Sequence, residues 1–336
     1  MRVKLILLLS LPWLCLSLSC QRKEQSRNPV DAHRLKIVTT VAPITSIVEN
    51  VVADNADVSG IIPEGINSHT FEPAPSDSRL LSGAQLMILN GLDLETPTLK
   101  LARANLPQGA SIYSLGDKTI TEAEYIYDFS FPKEQGHPNP HLWLNPAYAM
   151  RYVTLVRDEL VRLDPKNTSA YEQNAAQFIT KLEALDQAIK DAIQTIPANN
   201  RRLLTYHDSW PYFARRYGFQ VIGAVQPSDF ADPSPKEVIR LIEQIRKEKV
   251  PAVFGSEVFP SPVLEQIARE GKSSYIDKLR DDELPGKPGD PQHSYIGMMI
   301  ENMTIMFEAL GGSAETLKQV DPAPVAGSHA DYRRKN

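Results

Sequence analysis

The strongest constraint on this fold lies at the midpoint of the chain. Between Pro165 and Pro197, apolar residues recur at Tyr171, Ala175, Phe178, Leu182, Leu185, Ile189, Ile193 and Ile196, every third or fourth position. That spacing is one face of an α-helix, and at about 1.5 Å per residue the segment would run roughly 45 Å. A chain of 336 residues has length for about two domains. So long a helix at its centre is therefore expected as a spine joining two halves rather than as part of one core.

On both sides of the spine the pattern alternates between strand and helix. Apolar or β-rich runs at 35–41, 58–62 and 86–89 precede it, with a helix expected at 44–52. After it come strands at 203–206, 220–225, 250–254 and 274–277, separated by helices at 210–217, 235–248 and 261–270. Ser234 with Glu237 three places on is a capping box for the second of these helices. A last helix covers 294–310 and stops at Gly311-Gly312. The expected class is α/β, two lobes with mostly parallel sheets joined by one long rigid helix. The lobes span 35–164 and 198–313, the linking helix 165–197, and a Pro- and Ala-rich loose tail 314–336.

The N-terminus carries Arg2 and Lys4 ahead of a mostly apolar run at 5–18, then turns abruptly polar at Gln21. This pattern is a signal peptide over 1–19, too short for a membrane span of about 20 residues. Ser19-Cys20 resembles a bacterial lipoprotein cleavage site, although Ser17 stands where that pattern prefers Leu. The resemblance implies lipidation of Cys20 and a polar tether over 20–34. Cys15 and Cys20 are the only cysteines, which excludes a disulfide scaffold and any Cys-ligated zinc or iron–sulfur site in the body. With 36 basic and 41 acidic residues the net charge is −5, which counts against nucleic-acid binding.

Seven histidines remain as soft ligands. His69, His141 and His207 each lie in a strand-end or Pro-bounded loop, and Asp277 closes the strand at 274–277. Loops beyond the carboxyl ends of parallel strands converge, so these residues are candidates for one site, two from each side of the spine. Each taken alone is equally a surface or hydrogen-bonded side chain. Of the others, His137 sits in the loop 128–138 as a residue of an access path, His293 is a cap or surface residue of the last helix, and His33 and His329 lie in the tether and tail. Glu257 follows a strand as an alternative carboxylate, Glu72 and Asp208 adjoin candidate ligands and could orient imidazoles, and Trp143 and Trp210 could wall the site.

The motifs at 35–44, 62–73, 80–92, 139–146 (Asn-Pro-His-Leu-Trp-Leu-Asn-Pro) and 207–213 (His-Asp-Ser-Trp-Pro-Tyr-Phe), with the late Asp277, resemble the metal-binding solute receptors of bacterial ATP-binding-cassette zinc and manganese importers. The resemblance implies metal ligands at His69, His141, His207 and Asp277 and two α/β lobes on one helix. It also implies a monomeric exported receptor that hands metal to a membrane permease. Three imidazoles with one carboxylate suit zinc, and His207 stands where manganese receptors often carry Glu. A manganese or iron receptor of the same class is the alternative. A surface adhesin is a further one. A metallohydrolase is disfavoured because no His-Glu-x-x-His segment occurs, so the chain is read as not an enzyme. Asn139 and Asn145 replace the family's usual Asp, which would remove acceptors for His141, and Gln85 replaces another. Binding should weaken as pH falls through the imidazole range near 6.5, and the spine predicts small lobe motion.

Overall fold

The computed structural model describes residues 34–226, 233–256, 261–327 and 329–333. The signal peptide, Cys20, most of the tether, His33 and Glu257 lie outside them. The first lobe is built on a sheet in which β1 (Leu35–Thr39) lies between β2 (Ala56–Gly60) and β3 (Leu86–Leu89), with β4 (Ser111–Ser114) outermost beside β3. The second sheet repeats this order: β5 (Arg202–Thr205) lies between β6 (Gln220–Ala224) and β7 (Ala252–Ser256), with β8 (Ser274–Leu279) at the edge. Every pairing is parallel. Parallel strands need crossovers, so helices cover both faces, which is why β3 and β7 are fully buried and, apart from Ser256 at the end of β7, carry no polar side chain. In each sheet the order reverses at the first strand, and a crevice opens there beyond the carboxyl ends.

Between the lobes runs α6 (Thr168–Ile193), 26 residues or about 39 Å. Its apolar stripe is buried as the spacing predicts. It does not stand alone, because α5 (Pro146–Leu163) packs along it. Near its start, Asn174 donates to the Val51 carbonyl of α1 (Ala42–Val52) at 3.1 Å. Near its end, buried Asp186 accepts from Nε and Nη2 of Arg216 at 3.0 and 2.8 Å, from α7 (Pro211–Tyr217). The spine thus grips one lobe with each end. No helix among the described residues is long and apolar enough to cross a membrane.

The C-terminal segment departs from the expected loose tail. After α10 (Tyr295–Ala309) and a 3-10 turn at Glu315–Gln319, the chain returns to the first lobe and straps its edge. Asp331 N donates to Val58 O at 2.9 Å and Asp331 O accepts from Gly60 N at 3.0 Å, extending the sheet beyond β2. Glu49 on α1 receives Ala330 N at 2.8 Å and the Tyr332 hydroxyl at 2.7 Å, and Arg333 pairs with buried Asp77 at 2.6 Å. The Pro- and Ala-rich composition hides this, because the strand-like bonds of Asp331 run through backbone groups, which carry no sequence signature, and the anchoring side chains Tyr332 and Arg333 stand outside any periodic run.

Candidate metal centre

Three of the four expected ligands meet in the crevice between the lobes. His69 comes from the loop after β2, His141 from the turn that precedes α5, and His207 from the loop after β5. Their Nε2 atoms form a triangle with sides of 3.3 Å (His69–His141), 3.1 Å (His69–His207) and 3.3 Å (His141–His207). His141 is 1% and His207 4% exposed, and His69 is half-buried. They are the residues among those described whose donor atoms group closely enough to hold an ion, all within 4.8 Å of one another.

The trio is neutral at physiological pH. Burial holds His69 and His141 well below the usual imidazole range, and the neighbouring imidazoles push the same way. Burial lowers His207 to about 4, against the opposing pull of the Gln226 amide. Converging neutral imidazoles present lone pairs to one point, and a cation placed there satisfies all three at once. A tetrahedral zinc ion with Zn–N of about 2.0–2.1 Å requires N···N separations of about 3.3–3.4 Å. An octahedral face with bonds of about 2.2 Å requires about 3.1 Å. The triangle fits either.

One tautomer is fixed by structure. Asn139 Oδ1 accepts from the His141 backbone N–H at 3.0 Å and from His141 Nδ1 at 2.9 Å, which leaves Nε2 as the free donor to metal. The substitution of Asn for Asp therefore does not remove the acceptor. The amide nitrogen explains the choice: Asn139 Nδ2 donates to Asp128 Oδ2 at 2.8 Å and to the Asp208 carbonyl. Burial, then the nearby Asp128, raises the Asp208 carboxyl well above its ordinary range, and burial raises Asp128 to about 6. A third carboxylate at position 139 would repel this pair. Asp208 thus faces another acid rather than an imidazole, and Glu72 is exposed. Asn145 caps α5, accepting from Ala147 N at 3.0 Å, and Gln85 accepts from Lys36 N at 2.8 Å.

Asp277 does not join the trio. It was expected at the end of a strand, but β8 runs two residues further, and Asp277 is an exposed residue inside it. The buried carboxylates on that side are Asp281, which accepts from Ser209 Oγ at 2.5 Å, and Asp282, which accepts from Ser68 N at 3.0 Å. Asp281 lines one small cavity together with His207 and Ser209. Sequence reading missed both, because they sit in a charged stretch with Asp277, Lys278, Arg280 and Glu283 that reads as a solvated surface segment. His293 is fully buried rather than a surface cap, with Nδ1 3.2 Å from Pro285 O, while Ser294 caps α10. Trp143 is buried against His141 with ring centroids 5.0 Å apart and donates to Asp281 O at 2.9 Å, tying the lobes together beside the site. Trp210 is buried against Phe213. On the open side a cavity of about 310 Å³ leads from His137 and Asp93 to His69 and Phe131.

A buried cluster of imidazoles between two parallel-sheet lobes on a helical spine defines a metal-binding solute receptor. The chain matches the family model described as zinc-uptake complex component A, periplasmic, over residues 37–309, and it belongs to that family. It is 28% identical over 298 residues to the manganese ABC transporter substrate-binding lipoprotein PsaA of Streptococcus pneumoniae, covering 87% of this chain and 94% of that one. It is 30% identical over 285 residues to the iron-binding protein YfeA of Yersinia pestis, covering 84% and 88%. Among solved structures it resembles the periplasmic zinc-binding protein TroA of Treponema pallidum, with 26% identity and a TM-score of 0.74 over 83% of this chain and 100% of that one. The chain is thus the extracytoplasmic metal-binding component of an ATP-binding-cassette importer, with a membrane permease as its partner, and not an enzyme.

Proposed function

We propose that the chain captures zinc outside the cytoplasmic membrane and delivers it to its permease, with His69, His141 and His207 as ligands. The observation that carries this reading is the triangle of neutral Nε2 atoms 3.1–3.3 Å apart. Nitrogen-rich donors favour zinc over manganese, which prefers more oxygen. Manganese or iron is the second reading, because PsaA and YfeA are named for those metals and the triangle also fits a face of an octahedron. Two carboxylates compete for the fourth position: Asp277 by its place in the family pattern, and Asp281 by its burial and the cavity it shares with His207. Competition between zinc and manganese for the purified chain tests the metal. Asp277→Ala beside Asp281→Ala tests the fourth ligand, since only the true ligand's loss weakens binding while the fold persists.

The membrane anchor is proposed at Cys20, supported by the Ser19-Cys20 junction and by relatives named as lipoproteins. Cys20→Ser should release the receptor from the membrane fraction in its host. The receptor is proposed to act as a monomer. An adhesin role has no observation in its favour beyond the extracytoplasmic address.

A further inference from the structure

One side chain stands over the whole donor triangle and cannot be a ligand. The Phe131 ring centroid lies 5.5 Å from that of His69, 5.8 Å from His141 and 5.6 Å from His207. Phe131 is 8% exposed, and with His69 it forms the inner wall of the 310 Å³ cavity whose outer parts include Asp93 and His137. Its backbone is held at a tight turn: Asp128 Oδ1 accepts from Ser130 N at 3.2 Å and Phe131 N at 3.1 Å, and Asp128 N donates to Phe131 O at 3.0 Å. Ser130 Oγ then reaches the second lobe, donating to Gln226 O at 3.3 Å. The turn is pinned to both lobes while its benzyl group rotates about two single bonds. Of the three imidazoles, His69 lines the cavity beside the ring, while an ion going on to His141 and His207 passes the ring to complete the site.

We propose that Phe131 is the shutter of the metal centre, a positioning residue whose ring must swing aside for metal to enter or leave. The proposal rests on the three-histidine reading of the site. Closed, the ring keeps water from the lone pairs and offers the ion no donor of its own. Open, it loses its burial, so the open state is a minor population, and both capture and release are slowed by the same factor. A residue that only packs the bound state would slow release alone.

The test is stopped-flow kinetics on the full chain with zinc, capture followed by tryptophan fluorescence and release by transfer to a chromogenic chelator. Phe131→Ala, Phe131→Leu and Phe131→Trp are compared with the parent and with His207→Ala. The shutter predicts that on- and off-rates rise together in the order Trp, Phe, Leu, Ala. Alanine should gain roughly 10- to 100-fold in both, with Kd held within about threefold. Leu and Trp keep the apolar bulk, so the series remains readable if the alanine variant folds poorly. Rates indifferent to ring size, or a change in off-rate with a matching change in Kd, overturn the shutter and leave the site reading intact. Parent and His207→Ala binding zinc equally would overturn the site reading, and the shutter with it.

Discussion

At the residue scale, the decisive feature is that burial makes the imidazoles ready for metal before metal arrives. His207 titrates near 4 in the folded chain against about 6.5 unfolded, so between those values the unfolded state binds the extra proton. Above pH 6.5 both states are neutral and nothing is lost. As pH falls from about 6.5 to about 4, metal-free stability drops by up to about 3 kcal/mol from this residue alone. The same shift moves the binding window below the range read from sequence. Zinc affinity should stay nearly flat from pH 7.5 to 6 and fall only nearer the His207 value of about 4, as titration with a pH-independent competitor would show. A tenfold fall centred on 6.5 would contradict it. Asn139 gives a second prediction. Asn139→Ala removes the acceptor that orients His141 and should weaken zinc binding about 10- to 100-fold. Asn139→Asp keeps an acceptor but faces Asp128 and Asp208, so it should lower the unfolding midpoint in urea as well.

At the element scale, what could be read from sequence was what had a period. The spine stripe appears because seven of its apolar positions fall on one buried face of α6, and the capping box at Ser234–Glu237 forms as expected at the start of the helix Pro235–Glu248. The segment of α5 received no assignment. Its buried positions, Ala149, Tyr152, Val153, Val156 and Leu160, do fall at helical spacing, with Arg151 and Asp158 exposed on the opposite face, so this helix was legible on the same ground as the spine. The cap of α5 can be tested. Asn145 accepts from Ala147 N and donates to the Tyr212 carbonyl of the other lobe at 3.3 Å. Asn145→Ala should therefore cost about 1–2 kcal/mol in urea unfolding. Three histidines were legible because each follows a strand end or sits between prolines. The placement of Asp277 was not, since the end of β8 is set by pairing with β7, where a register shift carries Leu279 opposite Ser256. Phe131 was equally hidden, because its role comes from a turn folded over residues far away in sequence.

At the scale of the whole molecule, the two lobes are stitched around the site by more than the spine. Trp143 reaches Asp281, Ser68 reaches Asp282, and Tyr212 receives Ile126 N at 3.3 Å. Many short bridges spread across the crevice leave little room for wide hinge closure, so access is better served by side-chain movement than by lobe rotation. The C-terminal strap adds a tie within the first lobe, linking Glu49 to residues some 280 positions later. Glu49→Ala would strand two backbone N–H groups and the Tyr332 hydroxyl, and should lower stability by about 3 kcal/mol or more without changing zinc affinity. The central claim is that three imidazoles from both lobes form one site for a transported metal. The most direct measurement is zinc titration, with manganese as competitor, of the parent and of His69→Ala, His141→Ala and His207→Ala. The account predicts one zinc per chain, preferred over manganese, with each substitution weakening binding by at least about 100-fold. Affinity unchanged in the three variants would contradict it.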